Sequence, residues 1–266
     1  MSITQSSTSN LLLQALSKAD FALLGPHFER IRLKQSDRIF EANRRIEVVH
    51  FPEAGVFSVV ALQAGGDMVE VGLYGREGMS GAAVVLAAGQ SPHTSMVQVD
   101  PASSLTIASD RLLAACSDSE SLRNALLRYV QSLNIQAALT AASNARDPLL
   151  DRLARWLLMC HDRVDGDQIE LTHEFASIML AVRRAGVTVT LHTLEATGSI
   201  RSTRGLVTIA DRARLGKIAG SSYGGAEAEY RRLVGPFGKG FSPLPDRCQH
   251  AGNHQGEGGS AEGTVR

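Results

Sequence analysis

One tryptophan, three cysteines and no net charge leave several protein classes without support in this 266-residue chain. Cys116, Cys160 and Cys248 are far apart and odd in number, with no CxxC or zinc-type spacing, so free thiols in a reducing cytoplasm are expected. The longest unbroken apolar run, Ala82 to Ala88, is far too short for a membrane span, and no membrane partner is expected. The opening MSITQSSTSN has no basic stretch followed by an apolar core, and so no secretory signal. Zero net charge excludes a protein coated throughout with cations for nucleic acid, but it leaves room for one basic face. What is present is ordinary for a globular protein: 44% hydrophobic and 20% charged residues, enough for one large domain or two small ones.

The most informative stretch runs from Leu171 to Ile209. Thr172 is placed to cap a helix, since its hydroxyl can accept from the free N–H groups of the first turn. Phe175, Ile178, Met179 and Val182 then recur at three- and four-residue steps, and a second stripe follows at once with Val187, Leu191 and Leu194. So short a gap makes the two helices cross, leaving Arg183, Arg184, Thr188 and His192 towards solvent. Gly198 fits a C-cap, and Ile200 to Ile209 reads as a hairpin turning at Gly205 with Arg201 and Arg204 on it. From Arg183 to Lys217 there are seven cations (Arg183, Arg184, Arg201, Arg204, Arg212, Arg214, Lys217) against Glu195 and Asp211, an excess of five on a neutral chain. A helix opening on arginines beside a basic hairpin suits a major groove and its flanking phosphates. A solvated charged face on a helical hairpin is the plainer alternative.

The residues Thr172 to Ile209 resemble the winged helix-turn-helix of Crp/Fnr-type transcription regulators, and particularly a bacterial subgroup with a VRRAxVT recognition helix and a short wing. Val49-His50-Phe51-Pro52-Glu53-Ala54-Gly55 and the run from Val69 to Met79 resemble the sensor domain of that subgroup. The likeness spans about Leu11 to Gly235. It implies an α+β fold with an N-terminal β-barrel or jelly roll of the cyclic-nucleotide-binding kind, a long dimerisation helix and a C-terminal winged helix-turn-helix. It further implies a homodimer on a palindromic double-stranded DNA operator, with an unidentified small-molecule effector and RNA polymerase as candidate partners. Arg184 matches the position that commonly reads a base. Arg183, Thr188, Arg201 and Arg204 are expected to hold phosphates. Two departures bear on the operator: Ala185 and Val189 replace a glutamate and a second reading arginine, so the sequence read should differ from that of the better-known members. A third bears on the turn, where Ala181 stands in place of the usual glycine and a positive φ would strain it.

Taken in order, residues 1–10 are polar and expected to be disordered. Residues 11–145 form the sensor: short helices first, then many short strands rich in Val and Ile, with Ala64-Gly65-Gly66-Asp67 as a hairpin turn. The long helix is expected over about 119–144, where Leu122, Leu126, Tyr129, Leu133, Ala137 and Thr140 are spaced almost as a heptad. They would form the dimer seam, or else pack the helix on its own barrel. Pro148 should end that helix. Residues 146–234 form the winged-helix domain, and the Gly-, Pro- and Ser-rich residues 235–266 a disordered tail.

Other chemistry has little to rest on. Gly89 to Met96, which corresponds to the cyclic-phosphate-binding segment, contains no arginine, so cyclic AMP is not the expected effector. His93, Thr94 and Ser95 could take another anion or form a plain surface loop. Gly75 to Gly81 is glycine-rich but matches no phosphate-cradle spacing. His50 and His93 are not singled out as haem ligands, and Cys248-Gln249-His250 with His254 is only a loose chelating set. No cofactor, metal or catalytic residue is expected, and the chain does not read as an enzyme. The remaining alternative is a ligand-binding barrel whose winged helix contacts protein or RNA rather than duplex DNA.

Overall fold

The computed structural model describes residues 3–63 and 68–240. The N-terminal half is built on five antiparallel strands: β1 (Glu29–Leu33), β2 (Arg38–Phe40), β3 (Val48–Leu62), β4 (Met68–Tyr74) and β5 (Thr94–Ala108). β3 and β5 pair over almost their whole length, from Val48 opposite Ala108 to Val60 opposite Thr94. Their register slips three times between Pro52 and Phe57, and such bulges bend a long ribbon until the sheet curls. Gly55 sits in this bend with φ +87, where a Cβ would lie 2.8 Å from the Val99 carbonyl oxygen. The expected turn at 64–67 lies outside the described residues, while Leu62 and Met68 on either side of it are paired.

Two faces follow from the strand alternation. One carries Phe57, Tyr74, Val97 and Ala102 against Ile39. The other carries Val56, Val60, Leu73 and Met96, and these join one continuous core with residues 153–219. The two halves of the chain are thus packed together rather than strung on a linker.

Four helices precede the long one: α1 (Leu11–Gln14), α2 (Lys18–Leu24), α3 (Ala82–Val85) and α4 (Ser109–Asp118). The long helix, α5 (Glu120–Arg146), starts at Ser119, whose hydroxyl accepts from Leu122 N–H, and ends before Pro148. None of the described helices is long and apolar enough to cross a membrane.

Three expectations are corrected. The first half of the expected dimer seam faces inwards: Leu122, Leu126 and Tyr129 are buried in the subunit's own core, and the Tyr129 hydroxyl donates to the Met79 carbonyl at 3.0 Å. Gly78 makes room for that ring, since a Cβ there would fall 2.3 Å from the phenolic oxygen. Two apolar stripes at helical spacing look alike in sequence, and burial against the barrel chose this one. The face left exposed carries Asn124, Gln131, Asn134, Ala138, Ala141 and Ala145.

Nor is the N-terminal segment disordered over residues 3–10. Asn10 is buried, its amide donating to the carbonyls of Pro52 and Gly78 at 2.8 Å each, while Gln5 donates to the carbonyls of Leu13 and Leu16. Polar side chains hold the segment by satisfying main-chain acceptors, which an apolar pattern does not reveal. Finally, residues 235–240 of the expected tail are placed, and Phe237 is buried against Tyr230 with ring centroids 5.1 Å apart. The rest of that tail, with Cys248, His250 and His254, lies outside the described residues.

Candidate nucleic-acid interface

After α6 (Leu149–His161) the chain forms β6 (Gln168–Glu170), α7 (His173–Met179), α8 (Arg184–Ala196), β7 (Ile200–Thr203), β8 (Leu206–Ile209), α9 (Arg212–Ala219) and α10 (Gly225–Leu233). Thr172 caps α7 by accepting from Phe175 N–H at 3.1 Å. The bend between α7 and α8 turns at Ala181, which takes the left-handed conformation with φ +53. That angle is the one a glycine would adopt freely, so alanine carries strain here. Gly198, φ +75, follows the end of α8, and Gly205, φ +77, turns the hairpin. β8 pairs with both β6 and β7 to make a three-stranded sheet.

Val187, Leu191 and Leu194 press α8 into the core beside Ile169, Ile200 and Val207. The opposite face is open, with Arg184, Ala185, Val189, His192 and Thr193 all exposed. Arg183 is the N-cap residue of α8, in extended conformation. Arg183, Arg184, Arg201 and Arg204 are all exposed, and none forms an ion pair or side-chain hydrogen bond with another described residue. The wing is braced against α8 where Ser202 N–H donates to Glu195 at 3.0 Å.

The seven cations do not form one patch. Arg212 turns inwards to Asp162 at 2.6 Å and to the hydroxyl of Tyr223, so it belongs to the scaffold. Arg214 is engaged by Asp211 and the Thr197 carbonyl. Thr188 is half-buried; its hydroxyl donates to the Arg184 carbonyl at 3.2 Å and meets His173 Nδ1 at 2.9 Å. His173 is a neighbour of the candidate surface that the sequence did not reveal, because fifteen residues separate it from Thr188.

In the N-terminal half, Thr94 and Ser95 of the expected anion site or surface loop make internal contacts. Ser95 is fully buried and shares a hydrogen bond of 2.8 Å with Tyr74, whose ring stacks on Phe57 at 5.4 Å. Thr94 accepts from Ala42 N–H. His50 is buried, and burial lowers its pKa to about 4. Among the described residues no group of His, Cys, Asp or Glu is arranged to hold a metal. The glycine-rich run has another use: Gly75 lies against Arg163, whose side chain would sit 3.0 Å from an added Cβ. Arg163 is buried and bonded to Glu77 at 2.7 Å, with its guanidinium 5.0 Å from the Phe237 ring centre. A second buried contact joins the halves where Trp156 Nε1–H donates to Glu70 at 3.0 Å.

A further pattern of catalytic type occurs between α9 and α10. Gly220-Ser221-Ser222-Tyr223-Gly224 has the spacing of a nucleophile elbow, GxSxG. That motif works on a strand-to-helix turn beside a base. Here it links two helices, and the Ser222 hydroxyl donates to the Ala219 carbonyl, so it is not set up as a nucleophile.

Comparison with known proteins agrees with this geometry. Residues 151–218 match the model of the Crp-like helix-turn-helix domain. A sequence search of curated proteins found no match. Among solved structures, a CRP-family transcriptional regulator from Thermus thermophilus is 20% identical, with a TM-score of 0.60 over 72% of this chain and 97% of that one. A transcriptional regulator of the crp/fnr family from Eubacterium rectale is 18% identical, with a TM-score of 0.61 over 79% and 98%. FixK2 from Bradyrhizobium japonicum is 16% identical, with a TM-score of 0.61 over 73% and 98%.

Proposed function

We propose that this chain, whose residues 151–218 match the Crp-like helix-turn-helix domain and whose fold is that of Crp/Fnr regulators, is a member of that family and a sequence-specific regulator of transcription that binds duplex DNA as a homodimer. The observation that carries the proposal is the set of four exposed arginines, Arg183, Arg184, Arg201 and Arg204, unpaired within the described residues, on a helix and wing whose other sides are buried. Cations left without carboxylate partners are available to phosphates and base edges. Arg184, in the first turn of α8, is the base reader, since a guanidinium can bridge O6 and N7 of guanine. Arg183, Arg201 and Arg204 hold backbone phosphates. Thr188 joins them only by turning its hydroxyl proton away from the Arg184 carbonyl.

Dimerisation uses the exposed face of α5, where Asn124, Gln131, Asn134, Ala138, Ala141 and Ala145 repeat at steps of three, four and seven. Two-fold symmetry then sets two copies of α8 about 34 Å apart on successive major grooves of a palindrome. Residues 11–145 act as the sensor and 146–234 as the reader, although both share one core. Cyclic AMP is not the expected effector: Gly89 to Met96 has no arginine for a cyclic phosphate, and Phe57, Tyr74 and Ser95 pack together inside the barrel.

The test is to select genomic fragments with the full-length protein and titrate binding against salt, comparing duplex with single strands. A palindromic site, duplex preference and a steep inverse salt dependence are expected. Equal affinity for single strands, or no preferred sequence, would remove the proposal.

A further inference from the structure

Val189 is the most exposed large hydrophobic side chain on any described helix. It is 66% exposed, while Val187, two residues earlier, is completely buried. Its neighbours one turn away on the same face, Ala185 and Thr193, are exposed as well. Packing within the subunit therefore gives Val189 no role. A β-branched side chain is also a poorer helix former than alanine, so helix stability does not call for it either.

Resting on the DNA-binding proposal above, we infer that Val189 is a specificity residue that reads the C5 methyl group of a thymine. That methyl is the one apolar feature a base presents in the major groove, and it is recognised by apolar contact. Val189 follows Arg184 by five positions, which at 1.5 Å per residue is about 7.5 Å along the helix axis. With base pairs stacked about 3.4 Å apart, the thymine lies roughly two pairs from the guanine held by Arg184. Ala185, exposed on the same face, is small enough to let the helix come that close.

The experiment uses the full-length protein and a half-site selected from a random duplex pool. A T·A pair should be enriched about two positions from the guanine. Replacing that thymine with deoxyuridine removes only the methyl and should weaken wild-type binding about fourfold, the effect of exposing one methyl group. Val189→Ala, which substitutes the better helix former at an exposed position, should bind both duplexes alike. A selected site that still depends on Arg184 but shows no thymine preference, or a variant as sensitive to uridine as the wild type, overturns this inference alone. A pool that yields no preferred sequence overturns it together with the DNA-binding proposal.

Discussion

The hydroxyl of Ser58 lies 2.6 Å from Glu70 Oε2 and also touches Gln98 Oε1, although it has one proton to give. A neutral Glu70 avoids burying a charge among these contacts. Burial favours that state, pushing the Glu70 pKa up to about 7 against the opposing pull of the Ser58 and Trp156 hydrogen bonds. Because the folded state then holds a proton that the unfolded state releases, this group's contribution to stability is complete below about pH 4.5 and is lost as pH rises through about 7. Glu70→Gln should flatten the dependence of the urea midpoint on pH between 5 and 8, raising stability at the alkaline end by roughly 3 kcal/mol at most. An unchanged slope would place the proton elsewhere.

Ala181 offers a test of opposite character. Its positive φ is a strain that the helix-turn-helix bend imposes. Ala181→Gly should stabilise the protein by about 1 kcal/mol, less the extra freedom glycine gives the unfolded chain. Thermal melting measures it, and duplex affinity should be retained.

Arg184 and Arg204 should separate base reading from phosphate holding. Arg184→Ala should bring the affinity for the selected operator roughly ten- to a hundredfold closer to that for random duplex. Arg204→Ala should weaken all duplexes alike and lower the salt slope by about 1. Identical behaviour of the two variants in a salt-titrated assay would show that the roles are wrongly divided.

Ala138 lies mid-way along the outer face of α5. Ala138→Glu sets a carboxylate against its own symmetry copy. Sedimentation should then report a monomer, and affinity for the palindrome should fall by roughly a hundredfold as the second half-site contact is lost. A dimer that persists would move the two-fold axis off this face.

Local chemistry carried most of what could be read in the sequence. The Thr172 cap, the apolar steps of α7 and α8, the left-handed Ala181, Gly198 and the Gly205 turn each depend on residues only a few positions apart, and each has the expected conformation. Long-range choices were not legible. Whether Leu122, Leu126 and Tyr129 meet a partner or their own barrel depends on a surface far away in the chain, and a heptad-like spacing suits either. The Arg163–Glu77 and Trp156–Glu70 contacts each join residues 86 positions apart, with nothing local to mark them. At the candidate surface, charge counting overreached with Arg212, whose partner Asp162 lies 50 positions away.

Tyr230 and Phe237 come from beyond the wing, yet the Tyr230 hydroxyl donates at 2.6 Å to the carbonyl of Glu77, and both rings lie in the core formed by α1, α2 and the barrel. Chains are made from the N-terminus, and early domains commonly settle before later ones emerge. Here two rings of the barrel's core leave the ribosome after the wing. The core of the N-terminal half is therefore complete only after the helix-turn-helix has been synthesised.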